Sequence, residues 1–196
     1  MIPPTRSHLQ RLRRQLLVAR HGHALLKRKQ DALLLEFYKL WRLALAQRRQ
    51  LQEEHARAAR LLAQARALES DLRIKAAALA VQEAAPVQIT VRNVAGVRLP
   101  ELGGVAERAV PRYDSLLLQD VGAAYFRVIE AVVRLAARET ALRKVLLEIK
   151  RVKRRTKALE EVVIPRLQEE RQYVVLSLDE REREEFLRIR KRIRAQ

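Results

Sequence analysis

His21 and His23 flank Gly22, and Asp179, Glu180, Glu182, Glu184 and Glu185 crowd one short span near the C-terminus. These are the stretches whose residue types could ligate a metal or move protons. On a helix, however, residues two apart point to different sides, so the histidines cannot share an ion. His23 also falls on an apolar seam, where it reads as a packed polar break that helps to set register. The carboxylates alternate with Arg181 and Arg183, which suits a solvated, salt-bridged helix face better than an acid–base pair. The sequence has no Gly-rich phosphate loop, no G-K-[ST], no HExxH and no cysteine. The expectation is a protein without catalytic, cofactor-binding or metal-ligating residues.

What the chain has instead is periodicity. Between Leu118 and Leu167, steps of three and four pick out fourteen positions from Leu118 to Val163, twelve of them apolar or aromatic. They include Val132, Leu135, Leu142, Val145, Ile149, Val152, Leu159 and Val163, with Glu139 and Thr156 as exceptions. A seam that repeats about every 3.5 residues requires a facing helix. The N-terminal half carries its own: Leu9, Leu12, Leu16, Ala19, His23, Leu26, Gln30, Leu33, Phe37, Leu40, and onward through Gln47, Glu54 and Ala58 to Leu72. Roughly 70 residues at about 1.5 Å each predict a helix of about 100 Å. Composition agrees, with 33% charged residues, 4% aromatic, and only 5 Gly and 6 Pro in 196.

Between the seams the pattern changes. Val87, Ile89 and Val91 alternate with polar residues, Asn93-Val94-Ala95-Gly96 supplies a turn, and Val97-Arg98-Leu99 returns before Pro100. That predicts a β-hairpin of half-buried strands, with Gly103, Gly104 and Pro111 continuing as loop. A lone hairpin is marginally stable, so Val87, Ile89, Val91, Val97 and Leu99 are expected to rest on the helices or on a partner. The expected organisation is a long helix over 1–84, a hairpin and loop over 85–114, and a second long helix over 115–196. Thr5 or Ser7 can cap the first helix and Asp114 or Ser115 the second. Pro165 predicts a bend, and Ser177-Leu178-Asp179-Glu180 has the form of a capping box. Two seams separated by a short insertion fold most economically into an antiparallel coiled coil, a mainly α fold with both termini at one end.

Charge narrows the partners. Lys and Arg number 41 against 23 Asp and Glu, a net charge of +18, which calls for acidic surroundings. Eight basic residues and no acidic one precede Asp31. Arg6, Arg11, Arg13, Arg14, Arg188, Arg190, Lys191 and Arg192 would gather at one tip, and Lys150–Lys157 forms a second basic band. A basic coiled-coil nucleic-acid binder is the alternative; the scarcity of aromatics for stacking and the lack of a groove-reading module weigh against it. A membrane-surface hairpin is weaker still, since a heptad edge wants another helix. No apolar run is long enough to cross a bilayer, so membrane association is expected through a partner and not by insertion.

Specific motifs then carry a resemblance. Pro4-Thr5-Arg6-Ser7, Ala19-Arg20-His21-Gly22-His23 with Leu25-Leu26-Lys27 and Asp31, Asn93-Val94-Ala95-Gly96-Val97 before Pro100, Ala158-Leu159-Glu160, Ile164-Pro165-Arg166-Leu167, and Asp179 through Phe186 stand in order along nearly the whole chain. In this the sequence resembles the D subunit of the V-type/A-type rotary ATPases, the central rotor shaft. Gln30 and Lys157 depart from the family's usual basic residue and Asn. The resemblance implies an antiparallel coiled coil standing in a catalytic hexamer, with both termini in its bore. It also implies a small F subunit bound to the side of the shaft and a funnel-like subunit linking it to the membrane rotor ring. ATP chemistry would belong to other chains, and this one would carry torque, peripherally, on the cytoplasmic side of the membrane.

Overall fold

A computed structural model describes residues 5–79, 87–105 and 115–194. The Pro3-Pro4 lead, Pro86, Pro111 and Asp114 lie outside them. The first long helix, α1, runs Arg6–Leu68. Thr5 caps it: the hydroxyl accepts from His8 N–H at 3.1 Å, relieving one of the donors that a helix start leaves unpaired. A short helix, α2 (Asp71–Leu79), follows after Ser70, whose hydroxyl accepts from Arg73 N–H at 3.4 Å. Next come strands β1 (Val87–Val94) and β2 (Val97–Val105), then helix α3 (Leu116–Ala158), a π-helical turn over Leu159–Val163, and helix α4 (Ile164–Arg194).

The chain divides into two compact units, the first built from one segment at either end and the second from the continuous stretch between them. The first comprises Met1–Asp31 and Ile149–Gln196; the second comprises Ala32–Glu148. In the first unit Arg6 reaches Glu182 at 2.7 Å, His8 reaches Glu170 at 3.3 Å and His23 lies 3.5 Å from Glu160. Numbers rise along one segment as they fall along the other, so the helices pack antiparallel. In the second unit Ala58 clusters with Ala124 and Val128, flanked by Leu51, Leu61 and Tyr125. There Gln47 lines a cavity with Arg134, so the sense is again antiparallel. The chain is mainly α, its long N- and C-terminal helices packed together, with one antiparallel hairpin between them in sequence.

Burial follows the heptad. Leu12, Leu16, Leu33, Leu40, Leu135, Val145, Ile149 and Val152 are buried, while Leu9, Leu26, Phe37, Leu142 and Leu159 are half-buried. Val132 is exposed, because the helix between the buried Val128 and Leu135 turns Ala131 inward instead. Small residues dominate this region: Ala44, Ala58, Ala65, Ala124 and Ala141 are all buried. Ala44, Ala58 and Ala65 stand on the seam expected for the first helix, whereas Ala124 and Ala141 lie one residue from the positions expected for the second, Tyr125 and Leu142.

Val163 is exposed for a different reason. The buried or half-buried series Val145, Val152, Leu159 advances by sevens, and the next members are Leu167 and Val174. The step of eight between Leu159 and Leu167 spans the π turn, where Ile164 N–H donates to Leu159 O, five residues back. The wider turn takes up the extra residue and rotates Val163 away. It also answers Pro165, which has no N–H and whose ring would crowd the carbonyl four residues earlier. Helix therefore continues from α3 through Pro165 into α4, and Ser177 lies inside α4.

The hairpin is longer and differently faced than expected. Ala95 and Gly96, at φ 50° and 83°, form a two-residue turn with both central residues left-handed. Gly103 and Gly104 belong to β2, not to a loop. The register slips between Gln88 and Ile89, leaving Gly103 as the extra residue, and a Cβ there would sit 3.2 Å from Thr90 Cγ2. Pairing of Arg92 with Leu99, and of Val91 with Pro100, sorts the side chains onto two faces. Leu99 is buried and Arg92 bonds Glu36 of α1 at 3.2 Å. Lys144 of α3 also donates to the Arg98 carbonyl at 3.4 Å. Val87, Ile89 and Val91 consequently point outward, 40%, 63% and 65% exposed.

Packing of this kind predicts a sharp contrast. Leu12→Ala should cost about 2–5 kcal/mol in denaturant unfolding of the chain, because Leu12 is 1% exposed. Val163→Ala should cost less than about 1 kcal/mol, since its side chain is already wet.

Candidate functional site

The histidines and carboxylates singled out in the sequence are spread along helices α1 and α4. His21 is exposed and His23 half-buried; the latter's Nε2 faces Glu160 at 3.5 Å without a hydrogen bond. The carboxylates from Asp179 to Glu185 are exposed along α4, and Glu182 and Glu184 pair with Arg6 and Arg188. A buried histidine that periodicity did not pick out does more. Arg11 donates to His8 Nδ1 at 2.9 Å, which puts the ring proton on Nε2, toward Glu170 at 3.3 Å. His8 is 7% exposed and forms the polar clasp of the first unit.

The functional features are surfaces. Of the basic residues assigned to a tip, Arg6, Arg11, Arg13, Arg14, Arg188, Arg190 and Lys191 lie exposed in the first unit. Arg192 has its backbone in α4, and its side chain is outside the description. Lys150, Lys153, Arg154 and Arg155 are exposed in the same unit, and Lys157 pairs with Glu161 at 3.7 Å. Arg14, Gln15, Val18 and Ala19 of α1 line an open groove of about 460 Å³ with Val163 and Leu167. A Cβ added at Gly22 would meet nothing within 4 Å, so the chain itself does not require glycine there.

In the second unit the seam is broken at two positions seven apart. Gln47 Oε1 and Glu54 Oε2 are buried without hydrogen-bond partners. Both line a cavity of about 120 Å³ with Gln50, Arg127, Glu130, Ala131 and Arg134. A second small cavity shares Gln47 and Arg134 and is closed by Pro100, Glu101 and Leu102 of β2. The hairpin's apolar stripe is free on the outer face. Sequence reasoning missed a further feature: Tyr38, Trp41 and Leu45 are 60%, 49% and 45% exposed on α1. Their spacing of three and four, off the seam, was the signal that could have found them.

This arrangement, two long helices packed antiparallel with outward-facing surfaces and a short hairpin, can be set beside known proteins. The family described as the D subunit of ATP synthase matches residues 8–194. The chain belongs to this family. It is 39% identical to the A-type ATP synthase D subunit of Thermococcus gammatolerans, over 99% of this chain and 94% of the relative. Against the A-type ATP synthase D subunit of Pyrococcus abyssi the identity is 37%, with the same coverage. That of Methanoregula boonei is 34% identical over 97% of this chain and 94% of its own length. Nothing in these similarities supports the nucleic-acid-binding alternative. Among the described residues no helix is long and apolar enough to cross a membrane.

In this member of the D-subunit family, local polar contacts hold the helix junctions. Glu69, between α1 and α2, has its pKa lowered, first by a hydrogen bond from the Ser115 side chain at the start of α3 and then by one from Arg73. The Arg73 contact measures 3.2 Å. A lowered carboxyl pKa contributes stability that is present above the unfolded value and lost as pH falls through the folded one. Glu69→Gln should therefore lower the thermal midpoint at neutral pH, and the difference from the parent should shrink toward zero below the ordinary carboxylate range.

Proposed function

We propose that this chain is the central-stalk subunit of an A-type rotary ATP synthase, carrying torque between an ATP-processing hexamer and a membrane ion-translocating ring. The family match over residues 8–194 carries the proposal, and the antiparallel pairing of two long helices in each unit suits it. A shaft must resist twist, and a buried apolar seam stiffens a helix pair because each fully buried Leu contributes roughly 1.5–3 kcal/mol. The reaction itself belongs to other chains. The stalk stays peripheral, on the cytoplasmic face, and reaches the membrane ring through a funnel-like subunit.

Within this reading the seam residues set stiffness and the basic residues of the first unit face the hexamer wall. A rotating cation in a ring of similar subunits needs shallow, repeated attraction. Exposed ion pairs worth roughly 0–1 kcal/mol each provide that, since they can exchange at every step. Reversing one arginine among Arg6, Arg13 and Arg14 should leave ATP-driven rotation of the assembled complex nearly unchanged. Reversing four or more cations within one band should slow rotation or weaken assembly, more so at low ionic strength where screening is weak. Rotation that proceeds at the parental rate in such a variant contradicts the electrostatic role.

The hairpin is assigned to a small partner, the F subunit of the stalk. Support comes from Val87, Ile89 and Val91, which form an apolar stripe turned away from the helices. Replacing Gln88–Arg98 by a short Gly-Ser bridge should leave the helical circular dichroism nearly intact. F-subunit retention and ATPase rate should both fall. If neither changes in the purified complex, the hairpin has no such role.

A further inference from the structure

The chain's one tryptophan stands off the seam. Leu34, Tyr38, Trp41 and Leu45 follow one another by four, three and four, so they share one side of α1. Tyr38, Trp41 and Leu45 are about half exposed or more, and Leu34 is half-buried. Phe37 props the pair from the seam side, its ring 6.0 Å from Tyr38 and 6.1 Å from Trp41. The hairpin does not cover this face. It is held by Glu36, and Glu36 lies two residues from Tyr38, on nearly the opposite side of the helix.

Chemistry on the flanks says what would cover it. Arg42 and Arg49 border the stripe on one side and Arg48 on the other; all three are exposed, and among the described residues none of their side chains makes a hydrogen bond or ion pair. Tyr and Trp are the residues that concentrate binding energy in protein contacts. We propose that this face docks an amphipathic helix of another subunit of the complex, with an apolar ridge meeting Tyr38, Trp41 and Leu45 and carboxylates meeting Arg42, Arg48 and Arg49. From Leu34 to Leu45 the stripe is about 16 Å long, roughly three helical turns, which suits a helix lying along α1. The inference rests on the assembly into a rotary complex and adds where, and to what chemistry, the shaft's side is bound.

Because the chain has no cysteine, single-cysteine variants report each position. Tyr38→Cys and Leu45→Cys test the stripe. Ala46→Cys serves as control, being exposed and turned about 100° round the helix from Leu45. Maleimide modification of this chain, read by mass, is compared between the free protein and the purified complex. Both stripe positions should react about tenfold more slowly in the complex, as the dry centre of an interface does, while the control keeps its rate. Adding Arg42→Glu, Arg48→Glu and Arg49→Glu should restore fast modification without loss of helical circular dichroism.

Equal rates in free and assembled protein, with the other ATP synthase subunits still co-purifying, overturn the inference and leave the functional reading standing. So does protection that survives the triple reversal, since the partner is then not acidic. Protection that grows with concentration of the free chain points to a second copy, and protection only by vesicles of phosphatidylglycerol points to a membrane; either outcome also overturns it. If the unmodified chain brings down none of the other ATP synthase chains, the functional reading fails and takes the inference with it.

Discussion

An apolar edge that returns every three and four residues cannot stay in water, and most of this molecule follows from covering it. α1 alone, 63 residues long, would leave Leu12, Leu16, Leu33 and Leu40 wet; paired, all four fall to 5% exposure or less. The pairing is antiparallel in each unit, and it leaves the remaining helix faces free for charge. That separation of faces is why +18 of net charge coexists with a stable core. Arginine and lysine occupy positions that never enter the seam.

The seam is not uniformly oily, and its interruptions differ in kind. His8 accepts a hydrogen bond from Arg11 at Nδ1 and has the Glu170 carboxylate 3.3 Å from Nε2, so polar groups stand at both ring nitrogens. Thr156 is buried too, but its hydroxyl donates to Val152 O at 3.0 Å within its own helix. Gln47 and Glu54 instead leave buried oxygens unpaired beside a polar cavity. The π turn is a fourth kind of interruption, in the backbone itself. It absorbs one residue, accommodates Pro165 and restarts the heptad at Leu167.

For a stalk component, the inside of the helix pair and its outside answer to different demands. The inside must hold two helices in one register under torque. The outside must meet several neighbours, and its three surfaces have distinct chemistry: basic bands in the first unit, the apolar strand face at Val87, Ile89 and Val91, and the aromatic stripe around Trp41. Polar contacts turned inward, Arg92 to Glu36 and Lys144 to the Arg98 carbonyl, hold the hairpin so that its apolar side faces away. A hairpin gripped by its charged face and showing its greasy one is poorly suited to life alone in water.

Sequence by itself determined the two long helices, the hairpin between them, the antiparallel pairing and the family, because heptad spacing, turn residues and ordered motifs are local and repeated. It also determined that Gln47 and Glu54 fall on the seam. Which residue of a neighbouring pair turns inward was decided only by packing. Ala131 rather than Val132 is turned in, and periodicity did not reveal it because an alanine carries little hydropathy signal. Val163 rotates out because a π turn, forced beside Pro165, shifts the phase by one residue, and periodicity cannot announce a change in helix type. Alternation in β1 revealed a strand with an apolar face but not the direction of that face, since both faces of a two-stranded hairpin are open until something packs against one. Tertiary contacts to Glu36 and Lys144 made that choice, and they turned Val87, Ile89 and Val91 toward solvent.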